Sequence, residues 1–185
     1  IEYIALQTSG SGKDFGDLTA AQFSGPGVAC SKTRSIFTSN ASGSASNYKY
    51  MDYVQTATLG NASDFGDQTQ GFGHHAQGIA SNAVRGVLVS SYYAPAKVNT
   101  VEYVTIATLG DSVDFGDLTQ VRIMSGAAAS PTRLVVSNGR TDGPGYVNTI
   151  DYAQIMTTGN FIDFGDSTVG SDMRPGASNG HGGLG

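Results

Sequence analysis

The sequence lacks tryptophan, and it has one cysteine and few charged residues among its 185 positions. Charged residues make up 14% of the chain, whereas about a quarter is usual in soluble domains. The lone thiol of Cys30 cannot form an internal disulfide, and we expect it to be a small buried side chain. Glycine, with 26 residues, serine and threonine are abundant instead, which favours short strands and tight turns over long helices.

Basic clusters and long apolar runs are also missing. The chain carries 10 Lys and Arg against 15 Asp and Glu, a formal net charge of −5 with no block of like charge. A nucleic-acid partner is not expected, because binding to phosphates needs clustered Lys and Arg. No apolar stretch approaches the roughly 20 residues that span a membrane, so membrane insertion is not expected either.

The sequence does contain a fourfold repeat. An apolar residue, an acid and a tyrosine recur together, and Asp-Phe-Gly-Asp begins eleven residues after each tyrosine. The repeated tyrosines are Tyr3, Tyr53, Tyr103 and Tyr152, and the repeated phenylalanines are Phe15, Phe65, Phe115 and Phe164. Successive tyrosines are 50, 50 and 49 residues apart. We therefore divide the single repeat domain 1–185 into units 1–50, 51–100, 101–149 and 150–185, of which the last is incomplete.

Each unit is predicted to be all-β. A β-branched strand carries the tyrosine, a short strand follows Asp-Phe-Gly-Asp, and then come a strand of small residues such as 126–129 and an apolar strand such as 134–136. The consecutive apolar residues imply burial on both faces, and the small residues suit a place where sheets converge. A period near 50 residues with four strands predicts a kelch-like β-propeller, or part of one. A β-solenoid is the alternative.

The last unit is predicted to leave an open sheet edge. It stops near 176–180, where its strand of small residues is expected, so its apolar strand is missing. An open edge is a template for pairing with another chain. We expect residues before Ile1 or a neighbouring subunit to supply the strand, and we expect that the chain does not work as a free monomer.

Asp-Phe-Gly-Asp is interpreted as a turn in which phenylalanine is the anchor, glycine has a positive φ and the aspartates bond backbone amides. The alternative is a calcium site at Asp111, Asp114 and Asp117, since calcium prefers several oxygen ligands. No cofactor is expected. Structural ion pairs are predicted between the acids before the tyrosines and the arginines before the apolar strands. These are Glu2, Asp52, Glu102 and Asp151, with Arg34, Arg85 and Arg133.

The pattern argues against an enzyme. A catalytic site needs one asymmetric set of groups, whereas these acids and bases recur in copy after copy. No nucleophile elbow, phosphate loop, dinucleotide fingerprint or zinc signature is present in the sequence. We therefore predict a non-enzymatic protein.

The most variable loops, between the apolar strand and the tyrosine strand, are the candidate binding surface. They carry Tyr48, Tyr50, Tyr92, Tyr93 and Tyr146. Tyrosines in Gly/Ser-rich loops are typical of adaptable recognition surfaces. The alternative is that the rings pack on the next blade.

Residues 99–110 (Asn-Thr-Val-Glu-Tyr-Val-Thr-Ile-Ala-Thr-Leu-Gly) and 114–119 (Asp-Phe-Gly-Asp-Leu-Thr) resemble the kelch-like repeat proteins of tailed bacteriophages, especially marine ones. The resemblance implies a virion structural or tail-fibre protein in an extracellular particle, a scaffold for assembly or host recognition. Its partners would be other virion proteins, copies of itself, or a host surface glycan or receptor. The chain departs from cellular kelch repeats in lacking tryptophan. The alternative function is a cellular or secreted carbohydrate-binding β-propeller.

Overall fold

The computed structural model describes residues 1–21, 27–39, 49–70, 78–89, 92–93, 96–141, 143, 145–172 and 176, with only the backbone at 92, 93, 96 and 97. These residues form strands, turns and bends, and none of them is in a helix. Accordingly, the described part of the chain has no apolar helix that could cross a membrane. The prediction of an all-β protein is confirmed.

The strands form antiparallel sheets that follow one another along the chain. Sheet I has two strands, and sheets II, III and IV have four strands each. Sheet I consists of β1 (Glu2–Tyr3) and β2 (Lys13–Asp14). Sheet II consists of β3 (Val28–Cys30), β4 (Arg34–Thr38), β5 (Tyr50–Gln55) and β6 (Ser63–Asp67). Sheet III begins with β7 (Ile79–Ser81) and β8 (Arg85–Val89).

A short ribbon of β9 (Tyr92–Tyr93) and β10 (Ala96–Lys97) interrupts sheet III, which then continues with β11 (Thr100–Thr105) and β12 (Val113–Asp117). Sheet IV consists of β13 (Gly126–Ala129), β14 (Arg133–Arg140), β15 (Tyr146–Gln154) and β16 (Ile162–Asp166). Each four-stranded sheet is a meander in the order small-residue strand, apolar strand, tyrosine strand and Asp-Phe-Gly-Asp strand.

In sheets II, III and IV the Asp-Phe-Gly-Asp segments are bulged strands, so their interpretation as turns is wrong there. In sheet III, Val101 pairs with Gly116 and Glu102 pairs with Asp114, which leaves Phe115 as the extra residue. The register shifts at the same place in sheets II and IV. The predicted positive φ of the glycine does occur, at Gly16, Gly66, Gly116 and Gly165, with values from 135° to 147°. This bulge lets the phenylalanine point at the neighbouring sheet while the strand keeps its pairing.

Sheets II, III and IV pack face to face around two apolar clusters. One cluster lies between sheets II and III and contains Phe65 and Leu88, and the other lies between sheets III and IV and contains Val87, Val89 and Phe115. Val87, Leu88 and Val89 are each 0% exposed, which confirms the predicted two-sided burial of this apolar strand. The small-residue strands lie at one edge of each four-stranded sheet, and β7 contacts both β3 and β13.

Candidate functional site

The repeated motif meets the next sheet through backbone groups. The phenylalanine carbonyl of one sheet accepts a hydrogen bond from the glycine that ends the tyrosine hairpin of the next sheet. The pairs are Gly60 N to Phe15 O at 2.8 Å, Gly110 N to Phe65 O at 2.9 Å and Gly159 N to Phe115 O at 2.7 Å. A Cβ on Gly16, Gly66 or Gly116 would overlap the backbone at Gly60, Gly110 or Gly159 respectively. Glycine is therefore required there both for its positive φ and for this close approach.

The acids before the tyrosines join consecutive sheets. Asp52 accepts hydrogen bonds from Thr19 N at 2.9 Å and from Thr19 Oγ1 at 2.6 Å. Asp151 accepts from Thr119 N at 3.0 Å and Thr119 Oγ1 at 2.7 Å, and Glu102 accepts from both groups of Thr69. Asp52, Glu102 and Asp151 are 2%, 0% and 0% exposed. Buried carboxylates need such donors, because burial removes their hydration.

The predicted ion pairs between these acids and Arg34, Arg85 and Arg133 are wrong. Each of these guanidinium groups instead lies over the tyrosine ring of its own sheet. The distances to the ring centroids are 4.5 Å for Arg34 and Tyr53, 4.2 Å for Arg85 and Tyr103, and 5.0 Å for Arg133 and Tyr152. Arg34 also donates to Ile106 O in sheet III, and Arg85 donates to Ile155 O in sheet IV. Arg34 and Arg85 therefore bridge successive sheets through backbone carbonyls.

Arg122 is a buried charged residue that the sequence reasoning missed. It is 0% exposed, and its Nη2 lies 3.0 Å from Asp151 Oδ2. Its guanidinium also donates to Thr149 O and Val136 O. Burial lowers the pKa of Arg122, and the attraction of Asp151 opposes that shift. Neither of the preceding units has an arginine three residues after its Thr19 or Thr69, so the repeat gives no signal for this residue.

Three equivalent concavities lie between the tyrosine strand and the Asp-Phe-Gly-Asp strand. Their volumes are about 100, 180 and 220 Å³ in sheets I, II and III. Each is lined by the repeated tyrosine, a threonine, the hairpin glycine and the residue after that glycine. In sheet III these are Tyr103, Thr108, Gly110 and Asp111.

The calcium interpretation finds little support in the geometry. Asp111 Oδ1 accepts a hydrogen bond from Asp67 N at 2.9 Å, so this carboxylate joins the hairpin of sheet III to sheet II. Asn61 and Asn160 accept the same bond from Asp17 N and Asp117 N. Within the described ranges, no three His, Cys, Asp or Glu residues group as metal ligands, and this includes Asp111, Asp114 and Asp117.

The loop tyrosines have unlike settings. Tyr146 is 55% exposed, and Tyr50 is half-buried at the start of β5. Tyr92 and Tyr93 pair with Lys97 and Ala96 in the ribbon, where only the backbone is described. Tyr48 lies outside the described residues. Tyr146 is therefore the candidate whose ring the structure places at the surface.

The four repeated tyrosines each contact the phenylalanine of their own unit edge to face, with ring centroids 5.8–6.1 Å apart. Tyr53, Tyr103 and Tyr152 are also covered by an arginine, whereas Tyr3 is 38% exposed.

Neither a scan against models of protein families nor a search of curated proteins finds a match to this chain.

Proposed function

We propose that the chain is a non-enzymatic repeat scaffold of a virion, of the tail-fibre type, that serves assembly or recognition of a host surface. The observation that carries this proposal is that the same contacts join one sheet to the next at every step. The repeated acids, glycines and phenylalanines all take part in these contacts. The repeated charged, aromatic and glycine residues of the sequence thus join neighbouring sheets, as expected of a repeat scaffold.

We further propose that the sheets are successive blades of a kelch-like β-propeller. The small-residue strands β3, β7 and β13 contact one another in series, as blades do near a central axis. Cryo-electron microscopy of the assembled protein should therefore reveal sheets fanned around a channel. Successive repeats that pair strand to strand about 4.8 Å apart along one axis would favour the β-solenoid.

The recognition role would fall on exposed side chains such as Tyr146, which begins strand β15 and not a loop as predicted, because exposed aromatic rings supply large contacts at low entropic cost. We expect the labelled chain to bind intact host cells and the Tyr146→Ser variant to bind them more weakly. Val84→Ser is the matched control, since Val84 is also exposed, to 46%, but lies in the bend before β8, away from β15. Equal loss of binding in both variants would contradict a role of Tyr146.

Membership of a virion is tested separately. Antibodies raised against the chain should label the tails of purified particles in negative-stain electron microscopy. Binding to free glycans without any labelling of particles would favour the alternative, a cellular or secreted carbohydrate-binding propeller.

A further inference from the structure

We propose that each hairpin concavity is a subsite for one neutral sugar residue, and that successive sheets bind a glycan through these subsites. A hairpin concavity is the hollow between the tyrosine strand and the Asp-Phe-Gly-Asp strand, and its lining residues occupy the same places in sheets I, II and III. The inference names a ligand class for the proposed recognition role and rests on that role. Its site is separate from Tyr146, which begins β15, whereas the hairpin follows the end of that strand.

The concavities of sheets II and III lie within the array. Sheets I and III pack on the two sides of sheet II, and sheets II and IV pack on the two sides of sheet III, yet each has its concavity. Their volumes of about 180 and 220 Å³ are below the roughly 300–1,000 Å³ of sites for drug-sized ligands. They equal about six or seven water molecules of about 30 Å³ each, which suits a single ring-sized unit.

Two repeated side chains bring a hydroxyl group to each concavity. They are Tyr53 and Thr58 in sheet II, and Tyr103 and Thr108 in sheet III. Within the described part of the chain, none of these four hydroxyl groups has a hydrogen-bond partner. The threonine stands five residues after the tyrosine in every unit, at Thr8, Thr58, Thr108 and Thr157. The contacts that join the sheets thus leave these repeated hydroxyl groups unused.

The charges of the lining indicate a neutral ligand. Lys13 lines the concavity of sheet I and Asp111 that of sheet III, whereas the concavity of sheet II has no ionisable side chain except Tyr53. A ligand with a charge of one sign would be attracted in one concavity and repelled in another. A neutral polar ligand is compatible with all three.

The residue after the hairpin glycine indicates that the ligand carries hydroxyl groups. Asn61 Oδ1 accepts a hydrogen bond from Asp17 N, and Asp111 Oδ1 accepts one from Asp67 N. The second polar atom of each side chain, Nδ2 of Asn61 or Oδ2 of Asp111, has no hydrogen-bond partner among the described residues. Equivalent places thus offer a donor in one sheet and an acceptor in the next. A hydroxyl group both donates and accepts, so a ligand rich in hydroxyl groups satisfies both.

Exposed apolar side chains complete the lining. Leu59 is 59% exposed in sheet II, and Leu109 and Val113 are 52% and 53% exposed in sheet III. A sugar ring carries C–H groups as well as hydroxyl groups. It therefore matches a lining that combines aliphatic side chains with hydroxyl and amide groups.

The hairpin is held in place before any ligand binds. In sheet III, Gly110 N donates to Phe65 O and Ser112 N donates to Asp67 O, both at 2.9 Å. Sheet II repeats these bonds. A fixed hairpin loses little conformational entropy on binding. Since one concavity occurs per sheet, a glycan of several sugar residues can occupy more than one, which raises its overall affinity.

A printed array of uncharged oligosaccharides tests the proposal. It contains hexoses, deoxyhexoses and N-acetylhexosamines, with sialylated and sulfated glycans as charged comparators. We expect the labelled chain to bind uncharged glycans, and titration calorimetry with the best-bound glycan then gives its dissociation constant. A variant with both Thr58→Val and Thr108→Val should bind that glycan about tenfold or more weakly, because it loses two hydroxyl contacts.

Thr132→Val is the matched control, because Thr132 is also exposed but lies in the bend before β14 and lines none of the three concavities. Circular dichroism checks folding. If the threonine variant is not folded, Tyr53→Phe with Tyr103→Phe replaces it, since this pair removes hydroxyl groups and keeps the rings.

Three results would overturn the proposal: no binding to any uncharged glycan, binding to charged glycans alone, or an unchanged dissociation constant in the hydroxyl variant. Antibody labelling of particles and the effect of Tyr146→Ser on cell binding do not depend on these hydroxyl groups. The proposed function is therefore judged separately.

Discussion

Phe115 and Phe164 occupy the same place in the repeated motif, but they are 1% and 55% exposed. Both contact their tyrosine in similar geometry, with interplanar angles of 82° and 75°. The free energy lost with that contact is therefore nearly the same for both replacements and does not affect their difference. Replacement of Phe115 by alanine removes a fully buried ring and leaves a cavity, which should cost about 3–5 kcal/mol. Phe164 is about half buried, and solvent fills the space it leaves. Its replacement should cost about 1 kcal/mol, roughly half of the transfer free energy of a phenylalanine.

Urea unfolding of both variants, followed by circular dichroism, measures this difference. The protein is kept at a low concentration so that any self-association does not contribute to the measured stability. A lower midpoint with an unchanged slope reports a loss of stability alone, whereas a changed slope reports separate unfolding of sheets. Equal losses at the two positions, or no loss at Phe115, would refute the assignment of this phenylalanine as the anchor between sheets.

The interior contacts give three further predictions. Gly116→Ala should destabilise the protein more than Gly165→Ala, since both glycines have positive φ but only Gly116 approaches another backbone; equal midpoints in thermal unfolding would contradict this. Thr119→Val removes a hydroxyl donor to buried Asp151 and should lower the free energy of unfolding by about 1–3 kcal/mol in urea titrations, whereas an unchanged value would show that the bond contributes little. Arg122→Met leaves the Asp151 charge without its cationic partner and should lower the free energy of unfolding by about 3–5 kcal/mol. The same urea titrations measure this loss, and a variant more stable than the unaltered protein would contradict it.

Periodicity was enough to predict the all-β class and the buried apolar strands. The predicted ion pairs between the repeated acids and arginines were wrong because the two kinds of side chain lie on opposite faces of each sheet. Glu102 and Tyr103 are adjacent, so their side chains point to opposite faces of β11. Arg85 lies on the face of Tyr103, which explains why it stacks on the ring and does not reach the acid. The alternation could be inferred from the sequence, but the face on which Arg85 lies follows from its pairing with Thr105, which a single sequence does not give.

Other features had no signal in a single sequence. The bulge at Phe115 depends on the pairing of β11 with β12, because a strand read alone does not reveal an extra residue opposite one partner residue. Arg122 departs from the repeat, and its burial beside Asp151 depends on how sheets III and IV pack. The identity of a residue in the motif also does not fix its burial, since Phe115 is 1% exposed beneath sheet IV whereas Phe164, at the same place in the motif, is 55% exposed in the described part of the chain.

The same alternation gives the array a direction. Every tyrosine strand places its acid on one face and its tyrosine on the other, and Asp52, Glu102 and Asp151 each bond a threonine of the preceding repeat. Each arginine with a following sheet bonds a carbonyl of that sheet. The two faces of a sheet therefore cannot be exchanged, and a sheet that entered in reverse would oppose acids to acids and leave buried carboxylates without donors. Because these contacts join nearest neighbours only, they fix the orientation of successive sheets without fixing their number.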